Sequence, residues 1–275
     1  MSERAAFPGL SYKGMTCFVT GGGSGIGLET ALSFADLGAN VAVLDWTKGA
    51  AAATAARIEK MGGKALAIEG DAGDEETLVE AFESTKRSLG PVDVAVACAG
   101  VLGDGGPVFT TTVADFTQVM DVNVRGSFLL VREAAKQMRP RRSGAILLLS
   151  SLDGTMAEHG MFSYCVSKGA LLNLARAAAL DLARDLVRVN CVCPSVTRTP
   201  LLDGRLATIP NGEEVLRAYA ERHPLGRVLT SRDIASAIVY IASPVATGIT
   251  GIALPVDAGI GATWDNFRDP PWVRH

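Results

Sequence analysis

An excess of charge of one sign is missing from this chain. Its 275 residues carry 26 Lys and Arg against 29 Asp and Glu, a net charge of −3, and the two signs are interspersed. That excludes the basic stripe of a nucleic-acid binder and the like-charge run of an interaction tail. Long apolar runs are missing as well. None approaches the roughly 20 residues that span a bilayer, although 48% of the chain is apolar. The opening MSERAAFPGLSYKG has no apolar stretch ahead of a cleavage site, so no secretory signal is expected. Cysteine is limited to five, an odd number, at Cys17, Cys98, Cys165, Cys191 and Cys193. Most sit inside apolar runs, which reads as reduced core thiols of a soluble, cytoplasmic protein rather than a disulfide framework. Cys191 and Cys193 alternate within a strand-like run with no histidine near, so no metal site is expected.

Short β-like runs alternate with longer helical ones. TCFVT (16–20), VAVLD (41–45), KALAIEG (64–70), VDVAVACAG (92–100), GAILLLSS (144–151), VRVNCVC (187–193) and GIALPVDAG (251–259) read as strands. Between them lie helical segments, including a long one over roughly 112–139 and another that starts at SYCVSK. Continuous apolar strands separated by helices predict a parallel sheet covered on both faces. The fold class is therefore α/β, a single-domain Rossmann-type doubly wound sheet. The domain is expected over 13–262, with terminal segments 1–12 and 263–275 outside it. A polar region at 195–225 has the look of a substrate lid built from a pair of helices.

TGGGSGIG (20–27) follows the first strand and opens the first helix. Glycines in that place let the backbone turn tightly against a pyrophosphate, and the helix N-terminus supplies N–H donors. Asp45 ends the second strand, where a carboxylate accepts hydrogen bonds from the ribose hydroxyls of NAD and repels the 2′-phosphate of NADP. Lys48 is the one nearby cation that weakens that preference. Asp71 is either an adenine-edge contact or a helix cap, and Asp74 fits the cap better.

SYCVSK places Tyr164 and Lys168 four residues apart, on one helix face. An ammonium about 4 Å from a phenol, at an effective dielectric of about 20, is worth roughly 4 kcal/mol. That lowers a phenol pKa of about 10 by up to about 3, toward the range useful for proton transfer. Ser150 and Ser151 reach the carboxyl end of a central strand, where ligands of open parallel sheets bind.

These motifs resemble the short-chain dehydrogenase/reductase family in its compact form, over about 14–261. TGGGSGIG is similar to the family's cofactor turn, Tyr164 and Lys168 to its Y-x-x-x-K pair, and DVNVRG to its N-x-x-G motif. The family's serine lies thirteen residues before the tyrosine, which selects Ser151. The resemblance implies Asn123, Ser151, Tyr164 and Lys168 as catalytic residues, Asn123 holding a water of the proton relay. It implies cofactor contacts at Gly21, Ser24, Gly25, Ile26, Gly27, Asp45, Trp46, Asp71, Ala72, Ala99, Gly100, Tyr164, Lys168, Pro194, Thr197 and Thr199, with Thr199 ahead of Thr197. Three departures stand out: Cys98 where Asn is usual, Ser195 where Gly is usual, and VDAG for VDGG. A side chain at Ser195 narrows the pocket or adds a hydroxyl to it.

The expected activity is interconversion of a secondary alcohol and a ketone with NAD(H), leaning toward oxidation. An NADPH-dependent 3-oxoacyl-carrier-protein ketoreductase is the alternative, and an inactive NAD-binding regulatory protein a remote one. Substrate contacts are expected from 152–162, with Asp153, His159 and Met161 as polar and apolar candidates and Met156 and Phe162 as apolar wall. Arg205, Arg217 and Arg222 alternate with acids, which favours a solvated helix face over an anion site. The helix after Lys168 is apolar all round, so it is expected to join 124–139 in a homo-oligomeric interface, dimer or tetramer.

Overall fold

The computed structural model describes residues 10–262. Seven strands form one sheet: β1 (Thr16–Thr20), β2 (Asn40–Asp45), β3 (Ala65–Glu69), β4 (Val94–Ala97), β5 (Gly144–Leu149), β6 (Val187–Pro194) and β9 (Ala253–Val256). Every pairing is parallel and the order is β3-β2-β1-β4-β5-β6-β9. The central strands are buried along nearly their whole length. That is why they read as unbroken apolar runs and not as alternating ones.

Helices cover both faces. α1 (Gly25–Asp36), α2 (Ala50–Lys60) and α9 (Ser231–Ala242) bury Phe34, Ile58, Ile234 and Ile238 with Val19, Val43 and Leu147 on one face. α3 (Glu75–Leu89), α5 (Gly126–Met138) and α6 (Phe162–Leu182) bury Leu78, Phe82, Leu130, Met138 and Leu171 with Phe18, Ile146 and Leu148 on the other. Helix starts follow their capping residues. The Asp74 carboxylate accepts from the Thr77 amide at 2.8 Å to cap α3, so the cap is Asp74 and not Asp71. Thr230 and Asp233 form a reciprocal capping box at α9.

Three expectations shift. The single helix over 112–139 is two helices, α4 (Val113–Met120) and α5, joined by a π-helical turn at Asp121–Arg125. The strand expected at 92–100 stops at Ala97, and the rest becomes the loop under the site. Tyr12, assigned to a terminal segment, is fully buried, stacks edge-on against Phe34 and donates to the Val239 carbonyl. Residues 263–275, expected to lie outside the domain, are not among the described residues.

The order places β1 between β2 and β4, so the chain leaves the two halves of the sheet in opposite directions there. That divergence opens a crevice beyond the carboxyl ends of the strands. After β6, the short pair β7 (Thr197–Arg198) and β8 (Leu229–Thr230) carries α7 (Pro200–Ala207) and α8 (Gly212–Arg222) over the crevice.

Candidate active site

A cleft of about 1310 Å³ lies at this carboxyl edge. It is lined by each expected cofactor contact, from Gly21 in the first turn to Thr199 at the start of α7, and by Ser151. Asn123 does not line it; it is fully buried behind the wall.

The glycine turn is shaped by sterics. Gly21 and Gly25 have φ of 64° and 52°, which disfavours L side chains. A Cβ on Gly21 would lie 2.7 Å from the Ala99 amide, and one on Gly27 would fall on the Gly21 carbonyl. α1 can therefore start hard against β1, with its open N–H groups facing the cleft. Ser24 sits at the helix N-cap with no side-chain cap bond, which leaves its hydroxyl available. Thr199 caps α7, and its side chain would lie 3.4 Å from a Cβ on Gly25. Thr197 is less open to the cleft, because its hydroxyl donates to the Ser195 carbonyl at 2.9 Å.

Asp45 is only 7% exposed. Its carboxylate accepts from the Gly23 and Thr47 amides, both at 2.9 Å, so it is fixed at the mouth of the turn. Lone pairs remain on both oxygens for ribose hydroxyls. The nearby Lys48 is exposed. These donors, the carboxylate and the steric cradle fit the diphosphate and ribose of a dinucleotide. Asp71 also lines the cleft, with its carboxylate accepting from the Gly73 amide at 2.7 Å.

The two strand-end serines separate in role. The Ser150 hydroxyl is spent on the Lys168 carbonyl at 2.8 Å. Ser151 Oγ donates to Asp153 Oδ2 at 3.1 Å. Lys168 is 4% exposed; its Nζ donates to the Leu149 carbonyl at 2.7 Å and lies 5.4 Å from the Tyr164 ring centre. Burial pulls the ammonium down from 10.5 to about 8.

The expected depression of the Tyr164 pKa is not what this environment produces. Burial raises it well above 10, the Asp153 carboxylate adds to the rise, and the neighbouring Ser151 hydroxyl opposes it. An ammonium set against water alone leaves out the desolvation of the phenolate, which is the larger effect here.

Asn123 braces the site from behind. Its Oδ1 accepts from the Val101 amide at 2.8 Å, and its Nδ2 donates to the Val101 carbonyl and to Ser167 Oγ. Ser167 in turn donates to the Tyr164 carbonyl at 2.7 Å. The side chain is thus committed to protein partners, and the π-helical turn is the feature that aims it inward. Buried Asp115 adds a second brace, accepting from the Asp104 amide and from Ser163 Oγ next to Tyr164.

Of the substrate-side candidates, Asp153, Met156, His159 and Met161 line the cleft. Phe162 does not; it packs toward Phe116. Arg205 and Arg222 also line the cleft, while Arg217 does not. Ser195 has a partner to which no sequence signal points. Its Oγ is 2.8 Å from Nε2 of buried His223, whose Nδ1 is 2.6 Å from the Tyr219 carbonyl. A carbonyl only accepts, so Nδ1 carries the proton and Ser195 donates to Nε2. The hydroxyl therefore ties β6 to the lid helix α8. Twenty-eight residues separate the pair, with no periodicity linking them. Ser195→Ala leaves His223 Nε2 unpartnered, at a cost of about 1–3 kcal/mol. Thermal denaturation is expected to show a fall of roughly 2–4 °C for each kcal/mol lost. An unchanged melting temperature would mean that the contact contributes nothing.

A glycine turn, a parallel sheet and a Ser/Tyr/Lys group in one cleft define a Rossmann-type α/β protein with a candidate reaction centre at the sheet's carboxyl edge. Comparison with known proteins agrees. Residues 21–261 match a family model described as enoyl-(acyl carrier protein) reductase. An uncharacterised oxidoreductase of Thermotoga maritima is 37% identical over 91% of this chain and 98% of its own length. A meso-2,3-butanediol dehydrogenase of Serratia marcescens is 33% identical over 92% of this chain and 97% of its own. The crystal structure of levodione reductase superposes with a TM-score of 0.89 at 25% identity, covering 92% of this chain and all of that one. The chain belongs to the short-chain dehydrogenase/reductase family. It is an oxidoreductase of that type.

Proposed function

We propose that this protein is a cytoplasmic NAD(H)-dependent oxidoreductase that interconverts a secondary alcohol and its ketone. The observation that carries the reading is the convergence of Ser151, Tyr164 and Lys168 in the cleft that the glycine turn opens. Relatives named as a butanediol dehydrogenase and a levodione reductase support alcohol–carbonyl chemistry. Five free cysteines suit a reducing compartment. Among the described residues no helix is long and apolar enough to cross a membrane.

When bound, NAD supplies the site that accepts or returns a hydride. The chain's own residues do the rest. Ser151 holds the substrate oxygen. Tyr164 exchanges a proton at that oxygen. Lys168 sets the charge beside the phenol, and its Nζ, which would lie 3.5 Å from a Cβ on Gly100, faces the cofactor's side of the cleft. Asn123 positions the first turn of α6 through Ser167. α7 and α8 cover the substrate end and reduce its contact with water. The exposed apolar residues Phe128 on α5 and Val166 and Leu180 on α6 support a dimer or tetramer through those helices.

The choice of NAD over NADP rests on Asp45. A 2′-phosphate would meet a buried carboxylate already fixed by two amides. Parallel fluorescence titrations with NADH and NADPH are expected to show the tighter binding for NADH. Asp45→Ala should narrow the difference by about 10- to 100-fold, the range of one or two charged hydrogen bonds. Tighter NADPH binding by the wild type would move an acyl-carrier-protein ketoreductase to the front.

A further inference from the structure

Asp153 lies beside the reacting groups and has no part in the mechanism above. It occupies the one-turn helix at Leu152–Gly154, immediately after Ser151. Two contacts join them. The Asp153 amide donates to Ser151 Oγ at 3.1 Å, and Ser151 Oγ donates to Asp153 Oδ2 at 3.1 Å. A hydroxyl has one proton and two lone pairs. The carboxylate takes the proton and the amide takes one lone pair. What Ser151 then offers a substrate is the remaining lone pair, which suits the O–H of an alcohol. It does not suit a carbonyl oxygen, which needs a donor.

We propose that Asp153 is a positioning residue that sets the hydrogen-bond polarity of Ser151, and through it the preference of the site for alcohol or ketone. Ionised, it holds Ser151 as an acceptor for the alcohol. Neutral, it releases the hydroxyl to donate to the ketone. The inference rests on the reading of Ser151 as the residue that holds the substrate oxygen.

The surroundings make this polarity responsive to pH. Asp153 is half-buried, and burial lifts its pKa above the usual carboxylate range; Glu158 lifts it further, while Ser151 and Lys168 oppose. Tyr164 and Cys165 on α6 and Tyr219 on α8 also face it. Arg205 and Arg222 are the cleft's lid-side cations. The same carboxylate disfavours a Tyr164 phenolate, so its protonation eases both constraints together.

Cyclohexanol, titrated into the NADH-loaded protein, and cyclohexanone, titrated into the NAD-loaded protein, are the probes; neither pair can react, and both are followed by tryptophan fluorescence, Trp46 lining the cleft, at an acid and at a neutral pH. In the wild type, ketone affinity relative to alcohol should improve as the pH falls. In Asp153→Ala the ratio should favour the ketone by about tenfold at the higher pH, the effect of one hydrogen bond gained or lost. It should also lose its pH dependence, and Asp153→Asn should move the same way. On a Ser151→Ala background, removing Asp153 should change the ratio no further. A wild-type ratio and pH dependence in both single variants overturns the inference alone. Failure of both probes to bind the wild type overturns the secondary-alcohol reading and the inference with it.

Discussion

Tyr164→Phe is expected to lower turnover by about 10²- to 10⁴-fold, the range of a positioned acid–base group. NADH should bind as in the wild type, because the ring and its packing remain. The loss should fall on kcat, since the phenol proton moves only as the substrate oxygen changes charge. A pH dependence accompanies it. Burial and Asp153 hold the Tyr164 pKa above its ordinary value, so the protein carries a protonated phenol near neutrality. Reduction needs that proton, so its kcat at saturating ketone should be insensitive to pH there. Oxidation needs the phenolate and should accelerate as pH rises. Stopped-time assays of both directions across pH check this. Wild-type turnover in the Phe variant, or oxidation that slows with rising pH, would remove Tyr164 from its role.

Lys168→Met should abolish most activity and still not destabilise the fold. The ammonium pKa falls from 10.5 to about 8 because the group is buried. That difference corresponds to roughly 3 kcal/mol of unfavourable burial. The sign follows from proton counting. Below pH 8 both the folded and unfolded chains are protonated, and the folded state carries the full cost. Between the two pKa values only the unfolded chain holds the proton, so wild-type stability rises with pH. Methionine removes the charge and keeps most of the volume. It also leaves the Leu149 carbonyl without its donor, a loss of about 1–3 kcal/mol. The variant should therefore match or exceed wild-type stability below pH 8 and lose that standing as pH rises. Denaturant melts of both proteins across this range provide the measurement. A stability difference independent of pH would mean that Lys168 does not titrate there.

These two residues show what one dimension of sequence carries. Tyr164 and Lys168 are four apart on one helix, so their shared face is legible from the chain alone. The glycine turn is legible for the same reason: strand, turn and helix are consecutive. The parallel sheet followed from apolar runs alternating with helices. The split of 112–139 was not legible. A π-helical turn inserts one extra residue into a helix whose apolar pattern remains continuous, and it is this turn that buries Asn123.

The local sequence thus determined the elements, their order and the chemistry each strand end delivers, because those depend on neighbours along the chain. Tertiary structure alone decided the balance of energies at the site. Desolvation raised the Tyr164 pKa where a pairwise charge argument lowered it, since burial depends on every element packed around the phenol. The bond from Ser195 to His223 and the burial of Asp153 between the strand end and the lid arise in the same way. They join segments that only folding brings within reach.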